Sequence, residues 1–230
     1  MTTRLNKFIA QAQGISRREA DTLIENNKVR VNNAPARLGQ HVSASDDVRI
    51  GESRLKIADS RYILLNKPAG YVCSRKQQGD SPTIYSLLPP DCNSLKPVGR
   101  LDKDSSGLLL LTNDGDFAHR LTHPQFHKQK SYEVSLDHAL AVGDEKAMKS
   151  GIELKDGKSQ LALEKMQESG RKHWHISMHE GRNRQIRRTF GSRGYEVVRL
   201  HRIAFGDFSL AKYPLEAGTW QELSPQTHLL

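Results

Sequence analysis

The sequence predicts an α+β fold. A small N-terminal helix–helix–β module spans residues 1–58, and a larger domain with a mixed, largely antiparallel sheet spans residues 59–230. Three observations point there. Two short stretches with apolar residues at helical spacing open the chain. A polar stretch, GESRLKIADS, breaks the pattern near residues 55–60. Beyond it, strand-like segments and turn-rich loops dominate, with few helices and no strand–helix–strand rhythm. A length of 230 residues suits one medium domain plus a small one.

The elements follow in order. In RLNKFIAQAQG, Leu5, Phe8, Ile9 and Ala12 fall on one helix face, and Gly14 suits the C-terminal cap. SRRE, residues 16–19, has the form of a capping box: the Ser16 hydroxyl accepts from the third amide while Glu19 reaches back. Ala20, Leu23 and Ile24 carry that second helix until Asn26 and Asn27 stop it. VRVNNAP reads as a strand and turn, and HVSASDDVRI as a strand pair. In the larger part, YILL (62–65) and GLLLLT (107–112) are apolar enough for central strands, and SRKQQGDSP and LPPDCNSLKP are surface loops. KSYEVSL (130–136) and HWHISMH (173–179) alternate as strands. EGRNRQIRRTFGSRGYE opens a helix near Arg182 that ends by Gly191 or Gly194. VVRLHRIAFGDFSL returns to strand, and WQELS is a last short one.

Composition narrows the function. The net charge is +9 and the isoelectric point about 9.6, which favours a polyanionic partner, nucleic acid or an anionic membrane surface. Residues 171–202 hold nine Lys and Arg against two acids, interleaved with Ile186, Phe190, Tyr195 and Leu200, so this charge belongs to a folded element. In the N-terminal module Arg4, Lys7, Arg17, Arg18, Lys28 and Arg30 are expected to line one side. Mean hydropathy is −0.65 and no aliphatic run is longer than the four residues of Leu108–Leu111, so no segment spans a bilayer. With no apolar leader at the start, a cytoplasmic location is expected. Cys73 and Cys92 lack metal-ligand spacing and read as free thiols. His119, His123 and His127 recur every four residues, but Pro124 interrupts the helix that would align them. Asp102 and Asp104 are held apart from Asp114 and Asp116 by the leucine strand, which argues against a magnesium cluster.

On a helix from Arg182, Arg184, Arg187 and Arg188 share one side and Ile186 and Phe190 another. Such a face binds phosphate or carboxylate, or is simply solvated. Asp102, in GRLDKDSSGLLLLTNDG (99–115), is either a turn former or a carboxylate held ionised beside apolar residues by an arginine.

GRLDKDSSGLLLLTNDG resembles the catalytic motif of RNA pseudouridine synthases, in the branch that modifies ribosomal RNA. LNKPAGYVCS (65–74), KSYEV (130–134), EGRNRQIRR (180–188) and VVRLHRIAFG (197–206) resemble that family's other blocks, in its order across residues 61–224. RLNKFIA, SRREA and KVRVN resemble the S-four RNA-binding domain. The resemblance implies that Asp102 is the catalytic aspartate. Tyr132 would stack on the target base and act in the final deprotonation. Arg187 would pair with Asp102, and Leu200 would pack beneath Tyr132. Arg100 would hold the flipped nucleotide or its phosphates. Arg184, where several relatives carry histidine, and Arg188 would join the substrate side. The reaction breaks the N1–C1′ bond of a uridine and rejoins the ribose to C5, with the base out of its stack and no metal or organic cofactor. Chain length, the S-four module and VCS…SPTIYSLL look most like the monomeric enzyme acting on one uridine of 16S rRNA, the uridine-516 type. A 23S rRNA relative, a non-catalytic ribosome-associated binder and an Asp-dependent glycosidase or nuclease are the alternatives.

Overall fold

The computed structural model describes residues 2–167 and 170–224. Its N-terminal part runs β1 (Thr2–Arg4), α1 (Leu5–Gln13), α2 (Arg17–Glu25), β2 (Val29–Val31), β3 (Ala34–Pro35), β4 (His41–Ser43), β5 (Val48–Ile50) and β6 (Ser53–Arg54). The capping box forms: Ser16 Oγ accepts from the Glu19 amide at 3.1 Å, and the Glu19 carboxylate accepts from the Ser16 amide at 2.7 Å. Gly14 ends α1 in the left-handed region at φ 66°. Leu5, Ile9, Ala20, Ile24, Val29 and Val48 close a core of their own.

The larger part runs β7 (Tyr62–Lys67), β8 (Lys96–Pro97), β9 (Ser106–Thr112), α3 (Gly115–Thr122), β10 (Lys130–Leu136), α4 (Val142–Ser150), β11 (Ile152–Leu154), β12 (Gly157–Ser159), β13 (Ala162–Lys165), β14 (His173–Met178), α5 (Gln185–Gly191), β15 (Val197–Phe205), β16 (Phe208–Ser209) and β17 (Trp220–Leu223). Among the described residues its main sheet has nine strands with the path β13–β14–β10–β15–β9–β7–β17; β8 flanks β9, and β16 flanks β15. Every pairing is antiparallel except β9 with β15. The four consecutive leucines follow from this. Side chains alternate across a strand, and this sheet is covered on both faces. Leu109 and Leu111 enter the core of one face with Ile63 and Leu65; Leu108 and Leu110 enter the other with Tyr62 and Leu64.

The parallel pair is made at Gly107, opposite Arg202. Gly107 has φ 109°, and a Cβ there would overlap the Arg202 backbone. Glycine is what lets the two halves of the sheet join.

The structure differs from the sequence expectation in its helices. The basic helix starts at Gln185 and not near Arg182, because Arg184 sits in the left-handed region at φ 48° and the Gln185 side chain accepts from the Arg182 amide at 3.1 Å. Arg184, Arg187 and Arg188 therefore do not share one face. Two helices went unread, α3 and α4; the Asp114 carboxylate caps α3 by accepting from the Asp116 and Phe117 amides. α3 ends before His123 and, among the described residues, no cluster of metal-ligating side chains occurs. Among them too, no helix is long and apolar enough to cross a membrane. Cys73 and Cys92 are free thiols.

Candidate active site

The turn between β8 and β9 carries Asp102. Its scaffold is a fully buried lysine. Lys67, at the end of β7, donates to the carbonyls of Ser105 at 2.6 Å, Pro68 at 3.0 Å and Asp102 at 3.2 Å. Burial holds the Lys67 ammonium below its usual pKa. Ser105 N–H closes the turn onto the Asp102 carbonyl at 3.1 Å. The Asp102 side chain is left partly exposed, at 31%, facing a cavity of about 1020 Å³. That volume holds a nucleotide.

Tyr132 on β10 and Leu200 on β15 supply buried wall to the same cavity. Tyr132 lies opposite Arg202 and Val134 opposite Leu200, so Leu200 is the diagonal neighbour of Tyr132 on one face of the sheet. Arg100 and Arg184 line the cavity and are exposed. Of the residues expected at the site, Asp102, Tyr132, Leu200, Arg100 and Arg184 thus come together.

Three placements differ from expectation. Arg187 does not form the ion pair with Asp102. It points inward, donating to the carbonyls of Val197 and, at 3.0 Å, of Asp104. Burial, then the adjacent Arg184, hold its pKa below the ordinary arginine value. The cation facing the carboxylate is Arg184, whose Nη1 lies 3.9 Å from Asp102 Oδ2 and 3.4 Å from Asp104 Oδ2. The left-handed backbone at Arg184 turns its side chain out of the helix register and toward the Asp102 turn. Arg188 lies outside the cavity lining, in a two-pronged pair with Asp156 at 2.8 Å on both nitrogens. In the N-terminal module Lys7 is occupied by Asp116 at 2.7 Å, Arg17 by Asn6 and Arg30 by the Asn33 carbonyl, while Arg4, Arg18 and Lys28 are exposed.

Sequence reasoning passed over three lining or supporting residues: Lys67, Ser105 and Arg202. A signal existed for two. A lysine inside the apolar run YILLNK and an arginine in step with Leu200 in VVRLHR both break a buried alternation. Ser105 gave none.

A sequence profile described as "RNA pseudouridylate synthase" matches residues 61–192, and an "S4 domain" profile matches residues 3–48. An "Uncharacterized RNA pseudouridine synthase" of Aquifex aeolicus is 39% identical over 97% of this chain and 91% of its own length. "Ribosomal large subunit pseudouridine synthase B" of Bacillus subtilis is 35% identical, covering 96% and 92%. "Ribosomal small subunit pseudouridine synthase A" of Haemophilus influenzae is 36% identical, covering 96% of each. A solved structure, "Crystal structure of pseudouridylate synthase", superposes with a TM-score of 0.68 at 34% identity over 97% of both chains. The chain belongs to the RNA pseudouridine synthase family, isomerases that convert uridine in RNA to pseudouridine, and carries an N-terminal S4 domain.

Proposed function

We propose that this enzyme modifies ribosomal RNA, at one uridine of the 16S molecule, with Asp102 as its catalytic carboxylate. The observation that carries the reading is the half-open Asp102 turn, braced by Lys67 and set at a cavity walled by Tyr132 and Leu200. A uridine must leave its stack to reach such a carboxylate. The apolar wall limits water, which would otherwise hydrolyse a glycosyl intermediate. Tyr132 meets the base, Arg184 faces the Asp102 carboxylate, and Arg100 holds phosphate at the mouth. The S4 domain, read as residues 1–58 on the strength of its separate core, grips folded RNA by backbone and shape, with Arg4, Arg18 and Lys28 free to do so. The resemblance implies a reaction without a metal or organic cofactor; a monomer located in the cytoplasm is the accompanying expectation.

The 16S assignment rests on the VCS…SPTIYSLL segment and on the Haemophilus influenzae relative named for the small subunit. The Bacillus subtilis relative named for the large subunit makes 23S rRNA the second reading. Mapping pseudouridines by carbodiimide primer extension in a deletion strain, with wild-type and Asp102→Asn add-backs, tests all of it. One lost 16S site restored only by the wild type is expected. A lost 23S site moves the target, and restoration by Asp102→Asn removes the aspartate's role.

A further inference from the structure

Arg202 lies on β15, directly opposite Tyr132 in the sheet register, and is 2% exposed. It lines the same cavity as Asp102. Its Nε donates to the Leu108 carbonyl at 2.7 Å, and its guanidinium lies 5.0 Å from the Phe205 ring centroid. Nη2 is buried and has no acceptor among the described residues; neither does the buried hydroxyl of Ser105, which also lines the cavity. No carboxylate pairs with Arg202 among the described residues. Two further cations sit near it, the fully buried Lys67 and the half-buried Lys130. The lining beside Arg202 therefore holds two buried donors with no acceptor and a buried cation with no carboxylate partner among the described residues. Burying an uncompensated cation is costly, so this arrangement is suited to a ligand that brings both.

Depth identifies the part of the substrate. The exposed cations of this cavity, Arg100, Lys103 and Arg184, stand where phosphates remain in solvent. Only the flipped base goes deep. Uracil enters neutral. When N1–C1′ breaks, the bonding pair stays on the base and spreads from N1 to O2 and O4. C5 then bonds to C1′, its hydrogen leaves as a proton, and N1 takes up a proton, so the ring is neutral again at the end. A fixed guanidinium in a water-poor site interacts more strongly with the charged ring than with the neutral one, and that difference accelerates the reaction.

We propose that Arg202 is a catalytic residue that stabilises the negative charge on the departing uracil. The inference rests on the Asp102 cavity being the active site. The test follows tritium release from [5-³H]uridine-labelled 16S and 23S transcripts under single turnover. It compares wild type, Arg202→Met, Arg202→Lys and Asp102→Asn, with filter binding and urea melts alongside. Arg202→Met is expected to lose about 100-fold in rate with transcript affinity within about threefold of wild type, and Arg202→Lys to recover about tenfold of that. If Arg202→Met lowers the urea midpoint, Arg202→Gln decides: the same loss in rate supports the role, and a wild-type rate overturns it. A retained rate with weaker binding and a shallower salt dependence would make Arg202 a phosphate contact and overturn the proposal. Loss of release in Asp102→Asn with Arg202→Met fully active sinks Arg202 alone. Release retained by Asp102→Asn sinks the site itself and Arg202 with it.

Discussion

Arg184 and Arg187 are three residues apart and do different work. Arg187 ties the start of β15 to the Asp102 turn through two carbonyls, of Val197 and Asp104. Arg184 is the cation that Asp102 meets. Arg187→Ala is expected to destabilise the protein by about 2 kcal/mol, read from urea unfolding, because it removes two hydrogen bonds made by a charged, half-buried donor. Arg184→Ala is expected to leave the urea midpoint unchanged and to lower kcat about 10- to 100-fold. Equal stability losses in the two variants would refute this division. The residue types at the site were legible in the sequence: the motifs held Asp102, Tyr132 and the arginines. Which arginine turns inward was not. It depends on one left-handed residue, fixed by Gln185 reaching back to the Arg182 amide, and no spacing rule encodes that. Lys67 was hidden for a related reason, since the acceptors that tie it to the Asp102 turn, the carbonyls of Asp102 and Ser105, lie more than thirty residues further along the chain.

Among the elements, the β9–β15 pair bears most on the site. β9 follows from the Asp102 turn, and β15 carries Leu200 and Arg202. Gly107→Ala is expected to cost at least about 3 kcal/mol, since it adds backbone strain to a clash with the Arg202 main chain. A soluble variant with a wild-type urea midpoint would contradict this. The sequence showed GLLLLT as a central strand but not its parallel partner, because an apolar run does not report strand direction. α4 offers a pH test. Glu145 accepts from Lys149 and from Arg171, each at 2.7 Å, and these bonds hold its carboxyl below the usual range. A carboxyl depressed on folding stabilises the native state above its unfolded pKa of about 4.5, and that stability is lost as pH falls through the lower folded value. Wild type should therefore lose about 1 kcal/mol relative to Glu145→Gln on acidification from pH 5 to 3, measured by urea melts. A constant difference between the two across that range would show that the ion pair contributes nothing.

At the scale of the molecule, three polar contacts among the described residues tie the S4 domain to the catalytic part. Lys7 pairs with Asp116, Arg75 donates to the Gly14 carbonyl at 2.9 Å, and Lys96 donates to the Ile15 carbonyl at 2.6 Å. Cations spent on this joint are not available to RNA; the exposed Arg18 and Lys28 are. Arg18→Glu with Lys28→Glu is expected to weaken transcript binding about tenfold and to flatten its log–log salt slope by one to two units, with single-turnover rate at saturation unchanged. An unchanged slope would take the module's basic side out of the interface. The closure of the main sheet has a consequence of its own in time. β17 lies against β7, register-paired from Trp220↔Leu65 to Leu223↔Tyr62, and Arg61 bonds Glu222 across 161 positions of sequence. On a ribosome adding about 5–20 residues per second, β7 waits roughly 8–32 s for its neighbour to be made. The S4 domain, whose core closes within its own first 55 residues, has no such wait. During synthesis the RNA-gripping part is therefore complete well before the catalytic part, and the nascent chain passes through a stage in which it binds RNA but converts none.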